Sequence, residues 1–224
     1  MKKVAIACVL FFWSCSSSEQ DCDPVKTIFY DKSESYIEVF SVDELNEMSD
    51  SVRSRLCDDS YFWSELAVGD LNIPAEILPQ GRCDRFESIG CFFGLPKTQI
   101  GIKSDTLYLN KKVVSLDSIE SKFQKHFFGL DTTNYKKWQK QIVTFSWDSA
   151  TSTDVIEDVL LSVAEGYSKG LVEKMARNGE PFNCKKYAQQ VIERQKKWKR
   201  NKVELAQYNT PVVHPFLISI SFHK

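Results

Sequence analysis

Between about residues 152 and 177, apolar side chains recur at the three- and four-residue spacing of a single helix face. They are Ile156, Val159, Leu160, Val163, Tyr167, Leu171 and Met175. Glu165, Lys169, Glu173 and Arg177 alternate in sign four residues apart on the outside, as a solvated helix face does. Asp148-Ser149-Ala150-Thr151-Ser152 is a turn and cap cluster before this helix, and Asn178-Gly179-Glu180-Pro181 stops it. A long helix with one apolar stripe needs a core to lay it on.

The neighbouring segments supply that core. Ile142 to Trp147 alternates and predicts a strand with Val143, Phe145 and Trp147 on one face. Gln99–Lys103 and Thr106–Asn110 are two short alternating runs joined through Ser104-Asp105, a hairpin signal. Ser115 or Asp117 then caps a helix carrying Leu116, Ile119, Phe123 and Phe127, followed by a polar loop around 129–140. Nearer the start, Tyr36 to Phe40 alternates as a strand. Ser41-Val42-Asp43-Glu44 has the form of a capping box, and Val42, Leu45, Met48, Val52 and Leu56 predict a helix over 41–57. Residues 58–96 are broken repeatedly by proline and glycine, including Pro74, and no element is assigned there. A second helix is predicted over about 184–206, with a thin stripe of Tyr187, Val191, Trp198 and Leu205. Phe216 to Phe222 is a final strand. Strands and helices mix with hairpins, so the expected fold is α+β: a small mixed sheet with helices packed on one face.

The first residues read as a targeting segment. Met1-Lys2-Lys3 is followed by an apolar run from Val4 to Trp13, the form of a secretory signal and too short to span a bilayer. Ser14-Cys15 closes it as a lipoprotein cleavage site does, although Phe12 and Trp13 are bulkier than usual there. The expectation is a signal peptide over 1–14, a lipid-bearing Cys15, and a polar tether over 15–26. Beyond it lie an unassigned α+β region over 27–96 and a domain over 97–224 with a helical insertion at 178–210. The localisation expected is the cell envelope, most simply the outer membrane facing the periplasm, with surface exposure as the other option.

Charge is nearly balanced, at −1 for the whole chain, which together with export argues against nucleic acid as a partner. Cys22, Cys57, Cys83, Cys91 and Cys184 remain once Cys8 and Cys15 are set aside. Five thiols allow at most two disulfides, and Cys83 with Cys91, flanking a short loop, is the expected pair. There is no zinc spacing, and none of the common hydrolase, phosphate-loop or dinucleotide motifs occurs, so no metal, cofactor or catalytic residue is assigned and the chain reads as a non-enzyme. Two features are candidate partner-binding groups. Lys185, Lys186, Arg194, Lys196, Lys197, Lys199, Arg200 and Lys202 crowd one segment against Glu193, with Lys196, Lys197 and Arg200 at its centre; such a run suits anionic headgroups or acidic glycans, or is simply a solvated face. Trp138, in Tyr135-Lys136-Lys137-Trp138, is an aromatic ring in a polar loop that could stack on a sugar or a protein partner.

Ile100-Gly101-Ile102, Thr106-Leu107-Tyr108-Leu109-Asn110, Val114-Ser115-Leu116-Asp117-Ser118-Ile119, the run from Val143 to Asp148, Thr151-Ser152-Thr153-Asp154 and Tyr167 follow one another in an order and spacing that resembles the periplasmic domain of the ExbD/TolR biopolymer-transport family. The likeness covers 97–177, with Phe216–Phe222 as the closing strand. It implies a hairpin, helix, strand, helix and final strand, a domain that dimerises, and, in the TolR branch, one that binds the cell wall. Thr153 stands where that family has an aromatic. The family's N-terminal membrane helix with its proton-relay aspartate has no counterpart in Val4–Trp13, so lipid on Cys15 would replace it as anchor. The expected function is an envelope lipoprotein that docks on an energy-transduction or transport complex or on peptidoglycan. The alternative is a surface lipoprotein that binds polysaccharide or a host molecule.

Overall fold

The computed structural model describes residues 22–29, 39–47, 49, 51–52, 54, 64–78, 97–104, 106–128, 142–148, 150–190, 193 and 218–223. The predicted alternation at 142–147 is realised in a strand, Ile142–Asp148, in which Val143, Phe145 and Trp147 are buried and Thr144, Ser146 and Asp148 are half-buried on the other side. In chain order the strands are β1 (Val39–Ser41), β2 (Ser64–Val68), β3 (Leu71–Leu78), β4 (Lys97–Lys103), β5 (Thr106–Leu109), β6 (Lys112–Val114), β7 (Ile142–Asp148) and β8 (Ile218–His223). They form one mixed sheet of eight strands in the order β1-β2-β3-β8-β7-β4-β5-β6. The fold is α+β as expected, with a larger sheet: the region left unassigned at 58–96 supplies β2 and β3, and these join the rest through β8.

That last strand lies between β3 and β7, parallel to both, with Ala75 opposite Ile218 and Val143 opposite Ile218. A chain-terminal segment thus bridges two hairpin units, and β7 lies parallel to β4 from Lys97↔Ile142 to Ile102↔Trp147. Turn chemistry explains the hairpins. Gly69 takes φ +55° at the first central position between Val68 and Leu71, where only glycine is free of strain. Asn110 and Lys111 both adopt positive φ (49° and 68°) between Leu109 and Lys112, the double left-handed turn that matches strand twist. The proline expected to break the pattern, Pro74, lies inside β3. Among the described residues the ladder with β8 begins one residue later, at Ala75, so Pro74 stands outside that ladder, and a missing N–H is tolerated beyond the end of a pairing.

The helices are α1 (Pro24–Phe29), α2 (Val42–Glu47), α3 (Leu116–Phe128), α4 (Thr153–Arg177) and α5 (184–190). The capping box is present: Glu44 N–H donates to Ser41 Oγ (3.1 Å) and Ser41 N–H donates back to the Glu44 carboxylate (2.8 Å). The helix it starts is shorter than the expected 41–57. It ends at Glu47, Ser49 is non-helical, and Ser49 Oγ accepts from Val52 N–H (3.3 Å), capping a new turn. Ser152 caps α4. At its other end Gly179 N–H reaches Ala176 O (3.0 Å) and Glu180 N–H reaches Met175 O (3.0 Å), with Gly179 at φ +77°.

The stripe of α4 is buried from Ile156 to Leu171 as predicted. Tyr167 stands at its centre, with ring centroids of Phe29, Phe127 and Phe128 at 5.9, 5.7 and 5.4 Å. α3 contributes Ile119, Phe123 and Phe127 to the same core, whereas Leu116, expected to join them, is 39 % exposed in the helix's first turn. The two helices approach closely because α4 carries glycine at 166 and 170. A Cβ on Gly166 would lie 2.7 Å from the Glu120 carbonyl oxygen, and one on Gly170 would lie 2.3 Å from the Phe128 ring. A polar thread ties α2 to this layer: Trp147 Nε1 donates to Asn46 Oδ1 (2.7 Å), Asn46 Nδ2 to Thr153 Oγ1 (3.2 Å), and Thr153 Oγ1 to Asp43 (2.6 Å).

Candidate functional site

Alternation along β4, β5 and β7 sends Ile100, Ile102, Leu107, Leu109, Val143, Phe145 and Trp147 to the helix-covered side. Gln99, Gly101, Lys103, Tyr108, Thr144, Ser146 and Asp148 are left on the opposite side. There they line a cleft of about 710 Å³ together with Lys111, a size in the range that holds small molecules or short polymer segments. The floor is Gly101, paired in register with Ser146 and Tyr108. A Cβ there would meet Ser146 Oγ at 3.4 Å, so the missing side chain is what keeps the middle of the cleft open.

Both ends are fixed by local hydrogen bonds. At one, Asp148 accepts from Ser104 N–H (2.9 Å) and Thr151 Oγ (2.7 Å), locking the β4–β5 turn to the end of β7. The Thr151 hydroxyl and then the Ser104 N–H hold the Asp148 carboxyl below its ordinary value, so it is ionised at neutral pH. At the other, Asn110 exchanges bonds with Gln99, accepting from its N–H at Oδ1 (2.8 Å) and donating its own N–H to Gln99 O (2.7 Å). This sets the turn that carries Lys111. The side chains facing the cleft are thus hydroxyls, an amide, a phenol and two exposed lysines. They can hydrogen-bond, stack and pair with an anion. The Asp148 carboxylate, the one among the described lining residues, is committed to structural donors and is not poised for proton transfer near neutrality.

The rest of the opposite face is not uniform. On β2 and β3, Glu65 and Asn72 alternate with Leu66 and Ile73 and are buried too, so the sheet is covered on both sides there. On the helix side, burial pushes the Lys174 ammonium down to about 8. Among the described residues no group of His, Cys, Asp and Glu is arranged to hold a metal ion, and no helix is long and apolar enough to cross a membrane.

Cys15, Trp138, Lys196, Lys197 and Arg200, the residues singled out from sequence, lie outside the described residues, as do Cys57 and the Cys83–Cys91 pair. The structure joins Cys22 to Cys184, with Cα atoms 5.9 Å apart and a sequence separation of 162. Nothing local in the sequence distinguishes that pair. Gly101, Tyr108, Lys111, Thr144 and Ser146 were not singled out either. One signal pointed to them: a lone glycine inside an alternating strand marks a bulge or a place where something approaches the backbone closely. Compared with protein-family models, curated proteins and solved structures, the chain matches none.

Proposed function

We propose that this chain is a non-enzymatic envelope lipoprotein, anchored through lipid on Cys15, that uses an ExbD/TolR-like domain to dock on a transport or energy-transduction complex or on peptidoglycan. The observation that carries the reading is the open polar cleft over β4, β5 and β7. It presents neutral hydrogen-bonding groups, one aromatic ring, two cations and the hydrogen-bonded Asp148 carboxylate, and among the described lining residues that carboxylate is held below the range for proton transfer near neutrality. An extended partner rich in amides, hydroxyls and carboxylates is complementary to such a surface. Glycan strands crosslinked by peptides have that chemistry, and so do polar protein segments. The order of hairpin, helix, parallel strand, helix and final strand over 97–223 is in keeping with the resemblance. The Cys22–Cys184 disulfide is in keeping with export to an oxidising compartment.

The test is photo-crosslinking in intact cells from a reactive residue placed at Tyr108 in the full chain, with mass spectrometry of the adducts. Adducts to an envelope transport subunit, to cell-wall fragments or to a second copy of the chain are the expected result. Gly101→Trp, which fills the cleft from a position with room for a side chain, should abolish them. Adducts only to outer-surface polysaccharide would replace this reading with that of a surface glycan-binding lipoprotein. Adducts unchanged by Gly101→Trp would remove the cleft from either.

A further inference from the structure

Backbone strain is gathered at the two ends of the cleft. Among the described residues five adopt a positive φ, and two of them, Gly69 and Gly179, do so without cost. The three that carry a Cβ are Ser104 (45°), Asn110 (49°) and Lys111 (68°). They lie in the β4–β5 and β5–β6 turns, which close the opposite ends of the cleft. Two of the three are held in place. Ser104 donates its N–H to Asp148 (2.9 Å), and Asn110 shares two bonds with Gln99 (2.8 and 2.7 Å). Lys111 has no such compensation. Among the described residues its side chain makes no hydrogen bond or ion pair, and it stands exposed in the cleft wall. A two-residue turn of this kind favours glycine at its second position, as in Asn-Gly, because a Cβ there is crowded. The fold alone would therefore select glycine at 111. A strained residue that the fold does not need, lining a cleft, points to a ligand.

The charge along the cleft is polarised. β4, β5, β6 and β7 contain one acid, Asp148, and it stands at the end opposite Lys111, where it offsets Lys103. Asp105 follows Ser104 in the sequence of the turn at that end. These strands place no acid at the Lys111 end. Gln99 and Ser104, which fasten the two ends, are five chain positions apart, or about 16 Å at the rise of a strand, the span of roughly five residues of extended chain. A polymer with a negative charge on every unit would set some of them against Asp148. A protein segment can present one acid to Lys111 and neutral residues to the rest.

We propose that Lys111 is the residue by which the cleft selects its partner, and that the partner is an extended protein segment whose Asp or Glu carboxylate pairs with the Lys111 ammonium. The proposal rests on the reading of the cleft as a docking site. The rest of the segment passes over Gly101, within reach of the Gln99 amide and the Thr144 and Ser146 hydroxyls. The positive φ at Lys111 is then a loss of fold stability retained for binding.

The test is photo-crosslinking in intact cells from the reactive residue at Tyr108, in the otherwise unaltered full chain and with Lys111→Gly, Lys111→Arg or Lys112→Gln added. Lys112 pairs with the buried Leu109, so it has the same charge one residue on but lies on the other face of the sheet. Mass spectrometry of the crosslinked peptides should find protein adducts with an Asp or Glu within a few positions of the attachment point. Lys111→Gly should lower their yield roughly tenfold, the scale of one hydrogen bond to a charged group. Lys111→Arg and Lys112→Gln should keep the parental yield. Purified Lys111→Gly should melt at or above the parent's midpoint, because glycine relieves the strain. A parental yield in Lys111→Gly, or equal losses in Lys111→Gly and Lys112→Gln, would overturn the role of Lys111 and leave the cleft as a docking site. A lower midpoint for Lys111→Gly would mean that the lysine serves the fold, and would overturn it as well. Adducts to glycan, or to protein segments without acids, would overturn the acidic segment. No adducts at all from the unaltered chain would remove the docking reading itself, and the proposal with it.

Discussion

Gly166→Ala sets two effects of opposite sign against each other. In an exposed helix interior the change stabilises by about 1 kcal/mol, because alanine loses less backbone freedom on folding. At Gly166 the new Cβ would lie 2.7 Å from the carbonyl oxygen of Glu120 and 3.3 Å from two further backbone atoms of α3. Backbone cannot swing aside as a side-chain tip can, so α3 and α4 must separate by about 0.7 Å to reach ordinary contact. That separation loosens the Phe127, Phe128 and Tyr167 cluster between them. Overpacking of this kind costs about 1–3 kcal/mol, and the upper part of that range applies where backbone meets backbone. The net expectation is a loss of about 1–2 kcal/mol, or roughly 2–8 °C in the unfolding midpoint of a domain this size. Urea unfolding followed by circular dichroism measures it, with an unchanged m value showing that only stability has moved. A midpoint equal to or above that of the parent would mean that the helices are not in close backbone contact at this position. Gly170→Ala, which meets the packed Phe128 ring at 2.3 Å, should move the midpoint in the same direction.

Three further outcomes follow from the same geometry. Cys22→Ser or Cys184→Ser, or reduction of the parent, opens a loop of 162 residues and should cost up to roughly 5 kcal/mol by chain entropy; coincident urea midpoints for reduced and oxidised protein would show that the bond is not formed. Asn46→Ala removes the amide oxygen that accepts from the indole N–H of buried Trp147 and should cost about 1–3 kcal/mol in urea unfolding, with a change in tryptophan fluorescence; an unchanged midpoint would mean that another acceptor replaces the amide. The folded Asp148 carboxyl titrates below its unfolded value, so its stabilisation is complete above the unfolded pKa of about 4 and is lost as pH falls through the lower folded value. Asp148→Asn should therefore flatten the fall of the thermal midpoint in that acid range, and parallel profiles for parent and variant would contradict the shift.

Elements with local causes were legible in the sequence. The α4 stripe, the Ser41–Glu44 box, the β7 alternation and the Asn-Gly stop after Arg177 each depend on residues within a few positions of one another. Periodicity and capping therefore specify them before the chain has folded. Pro74 in β3 and the exposure of Leu116 were not legible, because propensity assigns no strand neighbours and no partner for a helix's first turn. The candidate site shows the same division. Alternation alone puts Gly101, Thr144 and Ser146 on one side of their strands. Their union in a cleft depends on β4 and β7 pairing in parallel across about forty residues, and on helices covering the other face. The Cys22–Cys184 bond and the insertion of β8 between β3 and β7 are further still from local control. They join segments far apart in the chain, where closing entropy is repaid only by contacts of the completed fold. The sequence determined the helices and strands that have local signals and which of their faces would be apolar, while β2 and β3 stayed hidden among prolines and glycines. Tertiary structure decided which strands became neighbours, which polar face of β4, β5 and β7 came together, and which distant cysteines met.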